Sequence, residues 1–338
     1  MFLFSGTISG KTFAENLKLY YADIDSSEMA LIHDNYQSAI SFYVKAFQQK
    51  DKPFADDIYN LSVCYVKTGN LDKAMATCFE LVNSGVGDKF FRDHSIFDTL
   101  HAMPEWPSLL ENSAKVKAEF ELKNAAINKK LNLLHQMTPE IEDSIIRLVN
   151  HQDSIYTTEL LGILHENSGI VSAFELGASV GEQGEINFWP DYFIIILHNY
   201  EGLSLTHKEN VVSPFDSLLK KAVFDGNIKP SVYAFLHDFA ESDMYKRFCV
   251  SQLYWIVNDS LYINKFYANK DVRQKINRVR ATIMLPSLQH DQQKQLYSMK
   301  EPNSPFQLYA PTNRVGSFKD KQSEAIFLKN MQLVVDNL

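Results

Sequence analysis

The sequence has few of the residues that make covalent or metal cross-links. Its three cysteines, Cys64, Cys78 and Cys249, include no CxxC pair, and its ten histidines form neither an HExxH motif nor a Cys/His zinc spacing. These absences argue against a structural metal site. We expect the cysteines to be small buried thiols, with a disulfide between Cys64 and Cys78 as the alternative in an oxidising compartment.

A long apolar run is also missing. The longest apolar block, residues 193–197, is far shorter than the ~20 residues that a transmembrane helix needs, so we expect a soluble protein without a membrane span. The first residues, MFLFSGTISG, have no basic n-region. The chain as written is therefore expected to be cytoplasmic. It would be extracytoplasmic if the true start lies upstream and residues 1–14 end a signal peptide.

Positive charge is in deficit, with 33 Lys and Arg against 41 Asp and Glu and a net charge of -8. This balance argues against nucleic acid as a partner. The apolar content of 45% and the charged content of 22% are ordinary for a folded protein, which argues against general disorder. A chain of 338 residues allows one large or two ordinary domains.

Apolar residues recur at three- and four-residue steps over most of the chain, which predicts an all-α fold. Over residues 20–49 the pattern indicates one helical stripe or a tight pair of helices. A further helix over 58–66, a turn at Gly69 and a helix that ends near Gly85 follow, and the position of Gly85 is suited to a helix C-cap.

Six residues in this region follow one another as large, small, aromatic, turn, apolar and small positions: Leu61, Ser62, Tyr65, Gly69, Leu71 and Ala74. The second helix of an earlier copy is echoed by Tyr36, Ala39, Tyr43 and Ala46. In this order the residues resemble a tetratricopeptide repeat, whose period is about 34 residues. The resemblance implies helical hairpins over 20–114 whose grooves hold a protein or peptide partner. A generic helical hairpin is the alternative.

The rest of the chain is predicted to be helical as well. After the N-terminal segment 1–19 and the repeats, a charge-rich helix over 115–137 bridges to a helical domain over 138–300, with the boundary near Met137. Pro-marked helix starts are predicted at Thr138, Trp189, Ser213 and Lys229. Residues 301–338 read as an extended arm followed by an amphipathic helix, which docks on its own domain or on a second subunit.

Short fragments of the second half occur in a fixed order: Gln152 and Asp153, Val180 and Gly181, His198, then Ala234, Leu236 and Asp238, then Gln252, Leu253 and Tyr254, and finally Arg278, Arg280 and Leu285. Over residues 140–290 they resemble an uncharacterised bacterial domain family without an established activity. The resemblance implies a binding role for Gln152, Asp153, Gln252, Tyr254, Arg278 and Arg280. Phe239 stands where the family has Arg, so an Arg partner for Asp238 is lost, which implies a divergent, non-catalytic member.

His198, His237 and Asp238 are the catalytic candidates, because a histidine oriented by a carboxylate can act as a general base. The nucleophile that this chemistry needs has no recognisable motif, since G-x-S-x-G is absent. Histidines hydrogen-bonded within the core are the alternative. The glycine-containing loop over 177–186 lacks the spacing of a phosphate loop, and we expect no cofactor.

One basic run could bind phosphates or an acidic partner: Lys265, Lys270, Arg273, Lys275, Arg278 and Arg280. A solvated helix face, with Arg278 or Arg280 paired to an internal carboxylate, is the favoured interpretation. The sequence therefore predicts a non-catalytic protein-interaction module built on tetratricopeptide-like repeats. A hydrolase-like or small-molecule-binding activity around His198 and Asp238 is the second hypothesis.

Overall fold

The computed structural model describes residues 12–137, 145–181, 184–187, 190–205, 212–241, 243, 246–249, 254–258, 260–308, 314–315 and 318–335. Over these residues the chain is mainly helical, which confirms the expected all-α class. The chain divides into two compact units. Unit 1 comprises Met1–Lys229 and Pro305–Gln307, and unit 2 comprises Pro230–Ser304 and Leu308–Leu338. Within the described ranges, no helix is long and apolar enough to cross a membrane.

The first four helices of unit 1 form two hairpins. They are α1 (Phe13–Leu31), α2 (Tyr36–Phe47), α3 (Ala55–Lys67) and α4 (Leu71–Asn83). Helix α1 packs along α2, α3 packs along α4, and α2 also contacts α3. Residues 20–49 thus form a pair of helices and not a single stripe. Ala39 and Ala74 have no exposed surface, because their small side chains stand where the helix backbones approach closely.

Gly85 ends α4 and brings a distant segment onto its end. Its φ is +90°, its N–H donates to the Val82 carbonyl at 2.9 Å, and the Val86 N–H reaches back to the Leu81 carbonyl at 3.3 Å. This is a Schellman motif, which glycine forms without a steric penalty. A Cβ on Gly85 would lie 2.8 Å from the Cα of Gly177, so a side chain here would also block the docking of residues 173–187.

The remaining elements of unit 1 cover the hairpins. They are α5 (Asp88–Asp93), a 3-10 helix (Ser95–Leu100), α6 (Trp106–Lys123), α7 (Ala125–Met137), α8 (Ile145–Glu166), α9 (Ala173–Leu176), strands β1 (Ser179–Val180) and β2 (Ile186–Asn187), α10 (Phe193–Leu205) and α11 (Asp216–Phe224). Five apolar residues of the 3-10 helix and α6 are buried: Phe97, Leu100, Trp106, Leu109 and Leu110. The boundary placed near Met137 falls inside unit 1, because α8 packs on both α7 and α10.

Unit 2 combines helices with a small sheet. Its elements are α12 (Pro230–Ala240), β3 (Tyr254–Val257), β4 (Ser260–Asn264), α13 (Lys265–Ala268), α14 (Lys270–Ala281), α15 (Leu288–Lys300), β5 (Arg314–Val315), α16 (Lys321–Leu328) and β6 (Met331–Val335). The strand order is β5-β3-β4-β6. Strands β3 and β4 form an antiparallel hairpin, β5 lies parallel to β3, and β6 lies antiparallel to β4.

Two helical predictions in unit 2 were wrong. The segment at Tyr254 is a strand, because four aromatic and β-branched residues stand next to a turn at Asn258, whose φ is +48°. The amphipathic helix expected to run through Val335 ends at Leu328, and the last five described residues pair with β4. The helix start predicted at Thr138 lies outside the described residues, as do the first 11 residues of the possible signal-peptide segment 1–14.

Candidate functional site

Helix α3 is the central helix of unit 1, and it carries polar side chains into the interior. Every residue from position 56 to position 65 is buried, including Asp56, Asp57, Asn60 and Ser62. A buried polar group raises the free energy of the folded state unless it finds a hydrogen-bond partner. The partners of these side chains therefore show which other parts of the chain α3 holds in place.

An ionic cluster occupies the first turn of α3. The Lys229 ammonium lies 2.5 Å from an Asp56 carboxylate oxygen and 2.9 Å from one of Asp57, and the Tyr20 hydroxyl donates to Asp57 at 2.5 Å. Burial would lower the pKa of Lys229, but the two carboxylates outweigh it and hold that pKa above its usual value. Burial raises the pKa of Asp56 to about 6, against the attraction of Lys229. One cation shared by two carboxylates leaves the second carboxylate harder to ionise.

A second lysine lies among aromatic rings next to this cluster. The Lys50 ammonium is 4.6 Å from the ring centre of Phe54 and 4.2 Å from that of Phe174. Burial lowers the pKa of Lys50 to about 7. The ring faces act in the opposite direction, because they stabilise the charged ammonium.

One turn further along α3, two side chains hold a segment that returns from the far end of the chain. The Tyr59 hydroxyl donates to the Pro305 carbonyl at 2.7 Å. The Asn60 side-chain amide donates to the Gln307 carbonyl at 2.8 Å and accepts from the Gln307 N–H at 2.9 Å. A single amide thus satisfies both backbone groups of one residue. We call Pro305–Gln307 the arm and its binding surface the groove.

Side chains of the arm make further contacts with unit 1. The Phe306 ring lies 5.7 Å from the Tyr36 ring at an interplanar angle of 32°, and Phe306 is buried. The Gln307 side-chain carbonyl accepts from the backbone N–H of Ile186 at 2.9 Å. Ile186 begins strand β2, which is the second strand of the β1–β2 hairpin.

The surrounding elements fix the groove residues in place. The Tyr59 ring makes edge contacts with Phe90 at 5.5 Å and Phe97 at 6.0 Å, which come from α5 and the 3-10 helix. Gly184, in the β1–β2 turn, lies so close to His94 that a Cβ would stand 2.9 Å from the imidazole. The groove is therefore assembled from three separate stretches of sequence, residues 36, 59–60 and 186, and the arm comes from a fourth, residues 305–307.

Some residues predicted to form a site fall on different elements or outside the described part. His198 is partly exposed on α10 in unit 1, whereas His237 and Asp238 lie on α12 in unit 2. Gln152 and Asp153 lie on α8, but their side chains are outside the described part of the chain, as is all of Gln252.

Asp238 and Arg280 hold the same backbone residue in unit 2. The Phe248 N–H donates to the Asp238 carboxylate at 2.7 Å, and the Arg280 guanidinium donates to the Phe248 carbonyl at 2.6 Å. Arg280 also donates to the Pro286 carbonyl at 2.7 Å and pairs with Asp291. It has no exposed surface, so its charge faces a carboxylate and two carbonyls and is shielded from solvent.

The other unit 2 candidates have different surroundings. Arg278 is exposed on α14, which fits the interpretation of the basic run as a solvated face. Tyr254 is buried beside Cys249, and its hydroxyl has no hydrogen-bond partner among the described residues; the same holds for the His237 Nδ1 atom. Cys249 is a free, buried thiol whose pKa burial raises to about 12, which disfavours a thiolate nucleophile.

The sequence predictions missed the groove. Tyr59, Asn60 and Gln307 were not singled out, and Lys229 was identified only as a helix start, although one signal was present. Asn60 is a polar residue inside a helix that is buried on all sides, and such an amide needs partners. The partners themselves lie up to 247 positions away, and no local pattern connects them.

No family model, no curated protein and no solved structure matches this chain. The resemblances to tetratricopeptide repeats and to the uncharacterised domain family therefore stay predictions. What the groove can do follows from its own contacts.

Proposed function

We propose that the protein is a non-catalytic protein-interaction module in which tetratricopeptide-like helices α1–α4 bind an extended segment of a protein partner. The observation that supports this function most directly is the Asn60 amide, which makes two hydrogen bonds to the backbone of one residue of the arm. Contacts of this kind recognise a peptide main chain whatever its side chains.

The groove is built to hold such a segment rigidly. Asn60 has no exposed surface, and the Tyr59 ring is 1% exposed among the aromatic side chains of α5 and the 3-10 helix. One turn earlier, the Lys229 pairs fix the start of α3. Donors and acceptors that are already oriented lose little entropy on binding, which favours affinity for a flexible peptide.

The second hypothesis has no comparable support. The Asp238 carboxylate accepts the Phe248 N–H, and the buried Cys249 thiol is not activated. The Asp238 carboxylate thus holds the backbone of unit 2, and the His237 Nδ1 atom lies 4.0 Å from it, beyond hydrogen-bond distance.

Peptide binding in solution tests the proposal. The probe is a fluorescent peptide of residues 301–310, EPNSPFQLYA, and the receptor is the full chain carrying Phe306→Ala and Gln307→Ala, which weakens its own arm. We expect saturable binding that weakens about tenfold or more after a further Asn60→Ala change, because two neutral hydrogen bonds of roughly 1 kcal/mol each are lost.

The matched control is Asn83→Ala in the same receptor. Asn83 is exposed on α4, and the control removes an identical amide away from the groove. It should leave the affinity unchanged. A folded receptor that binds no peptide, or one that responds equally to both asparagine changes, would overturn the proposal.

A further inference from the structure

We propose that the groove selects partner segments in which an aromatic residue is followed directly by glutamine, and that the arm competes with such a partner for the groove. This inference rests on the proposed function and adds the chemistry of the ligand. The bound arm shows which residues the groove selects. Any residue can make its backbone contacts, whereas its side-chain contacts require an aromatic ring and a side-chain acceptor.

Tyr36 contacts the aromatic residue of the bound segment. The Phe306 ring packs at 5.7 Å from the Tyr36 ring, and it is 8% exposed. The Tyr36 hydroxyl donates to Asp34 at 2.6 Å, and Asp34 lies in the α1–α2 turn with a φ of +54°. The turn between the first two helices therefore orients the ring that receives the partner's aromatic side chain. An alanine at this position would lose the ring contact and its buried area.

A backbone N–H group donates a hydrogen bond to the glutamine side chain of the bound segment. The Ile186 N–H points at the Gln307 side-chain carbonyl, 2.9 Å away. Lysine and arginine offer no acceptor here, and the side chain of asparagine is one methylene shorter. Glutamate has an acceptor at the same length, and glutamine is the residue that the bound arm presents. A side-chain acceptor of the length of glutamine fits this donor.

The arm is connected covalently to the groove that it fills. The chain enters unit 1 for only three residues between Ser304 and Leu308. A tethered segment acts at an effective concentration of the order of millimolar, so a free peptide with the same sequence competes poorly until the arm is weakened. Release of the arm is therefore the step that opens the groove to a partner.

A set of four peptides tests the selectivity on the arm-weakened full chain described above. They are the 301–310 peptide, its Phe306→Ala analogue, its Gln307→Ala analogue and a scrambled sequence. We expect the Phe306→Ala analogue to bind about tenfold or more weakly and the Gln307→Ala analogue about five-fold more weakly, because one loses a buried ring and the other one hydrogen bond. The scrambled peptide should bind more weakly than either analogue, because it lacks both side-chain contacts.

The wild-type chain tests the competition. It should bind the 301–310 peptide at least about tenfold more weakly than the arm-weakened chain does, because the tethered arm occupies the groove. If the double change unfolds the chain, as seen by circular dichroism, the single change Gln307→Ala serves as the arm-weakened receptor.

The outcomes separate the two proposals. Equal binding of all four peptides would overturn the selectivity and leave the backbone-binding function standing. Equal affinity of wild-type and arm-weakened chains would overturn the competition. Failure of every peptide to bind a folded arm-weakened chain would overturn the proposed function and this inference together.

Discussion

In the two units, buried charged side chains pair with partners at very different separations along the sequence. In unit 1, Lys229 reaches Asp56 and Asp57, which lie 173 and 172 positions earlier in the sequence. In unit 2, Arg280 pairs with Asp291 only 11 positions later and holds backbone carbonyls of the same unit. The first network joins remote parts of the chain beside a groove, whereas the second stabilises local turns. The long-range network thus lies beside the groove in unit 1, which is where we propose that a peptide segment binds.

The largest effect is expected in unit 2 from Arg280→Met. The change leaves Asp291 buried without its cation and two carbonyls without donors, which should destabilise this unit by about 3–5 kcal/mol. Burial protects Cys249 from thiol reagents, so the urea concentration at which Cys249 becomes labelled measures the stability of unit 2. Arg278→Met, exposed on the same helix, should change the stability by less than about 0.5 kcal/mol. Similar effects of the two changes would contradict a structural role for Arg280.

A smaller effect is expected in unit 1 from Lys229→Met, of about 3 kcal/mol near neutral pH, because the carboxylates lose their shared cation. Labelling of the buried Cys64 and Cys78 reports on unit 1. The control is Lys221→Met, since Lys221 is exposed and pairs with Asp225 on the surface. If Lys229→Met lowered the urea concentration for labelling of Cys249 and not that of Cys64 and Cys78, the assignment of this network to unit 1 would be wrong.

The loss of stability caused by Lys229→Met should be smaller at acidic pH. Burial raises the pKa of Asp56 to about 6, and removal of the cation takes away the attraction that opposes this rise. The folded state then binds more protons than the unfolded state, whose carboxyl has an ordinary pKa, so stability falls as the pH rises through the folded pKa. We expect a smaller loss of stability at about pH 5 than at about pH 7.5. A loss that does not depend on pH would exclude the carboxylates as its cause.

The smallest effect on stability is expected from Asn60→Ala. Two neutral hydrogen bonds to the arm are lost, and the freed backbone groups of Gln307 can turn to water, so we expect a loss of about 2 kcal/mol. Chemical unfolding followed by Cys64 and Cys78 labelling measures it. Asn83→Ala is the surface control. A loss no larger than that of the control would show that the amide does not hold the arm in solution.

The sequence predicted the local structure of unit 1 well, because helix periodicity and turn residues are local signals. The hairpin turn at Gly69 and the end of α4 near Gly85 lie where the pattern indicated, and α11 begins at Asp216, three residues after the predicted start at Ser213. The strands of unit 2 were missed because four or five residues are too few to separate the strand period from the helix period.

The candidate site was predictable only where its residues are close in sequence. A pair between Arg278 or Arg280 and an internal carboxylate was part of the favoured interpretation, and Arg280 makes such a pair with Asp291. The groove was not foreseen, because Tyr59 and Asn60 meet Pro305 and Gln307 through the folded chain. A buried helix with an unexplained amide in its middle is the signal that could have pointed to it.

The most direct test of the proposed peptide binding is a single comparison of peptide affinities. The full chain carrying Phe306→Ala and Gln307→Ala is titrated with the 301–310 peptide, with and without Asn60→Ala, and Asn83→Ala serves as the matched control. We predict saturable binding that Asn60→Ala weakens about tenfold or more and Asn83→Ala leaves intact. Binding that is absent in the folded chain, or that is unchanged by Asn60→Ala, would contradict it.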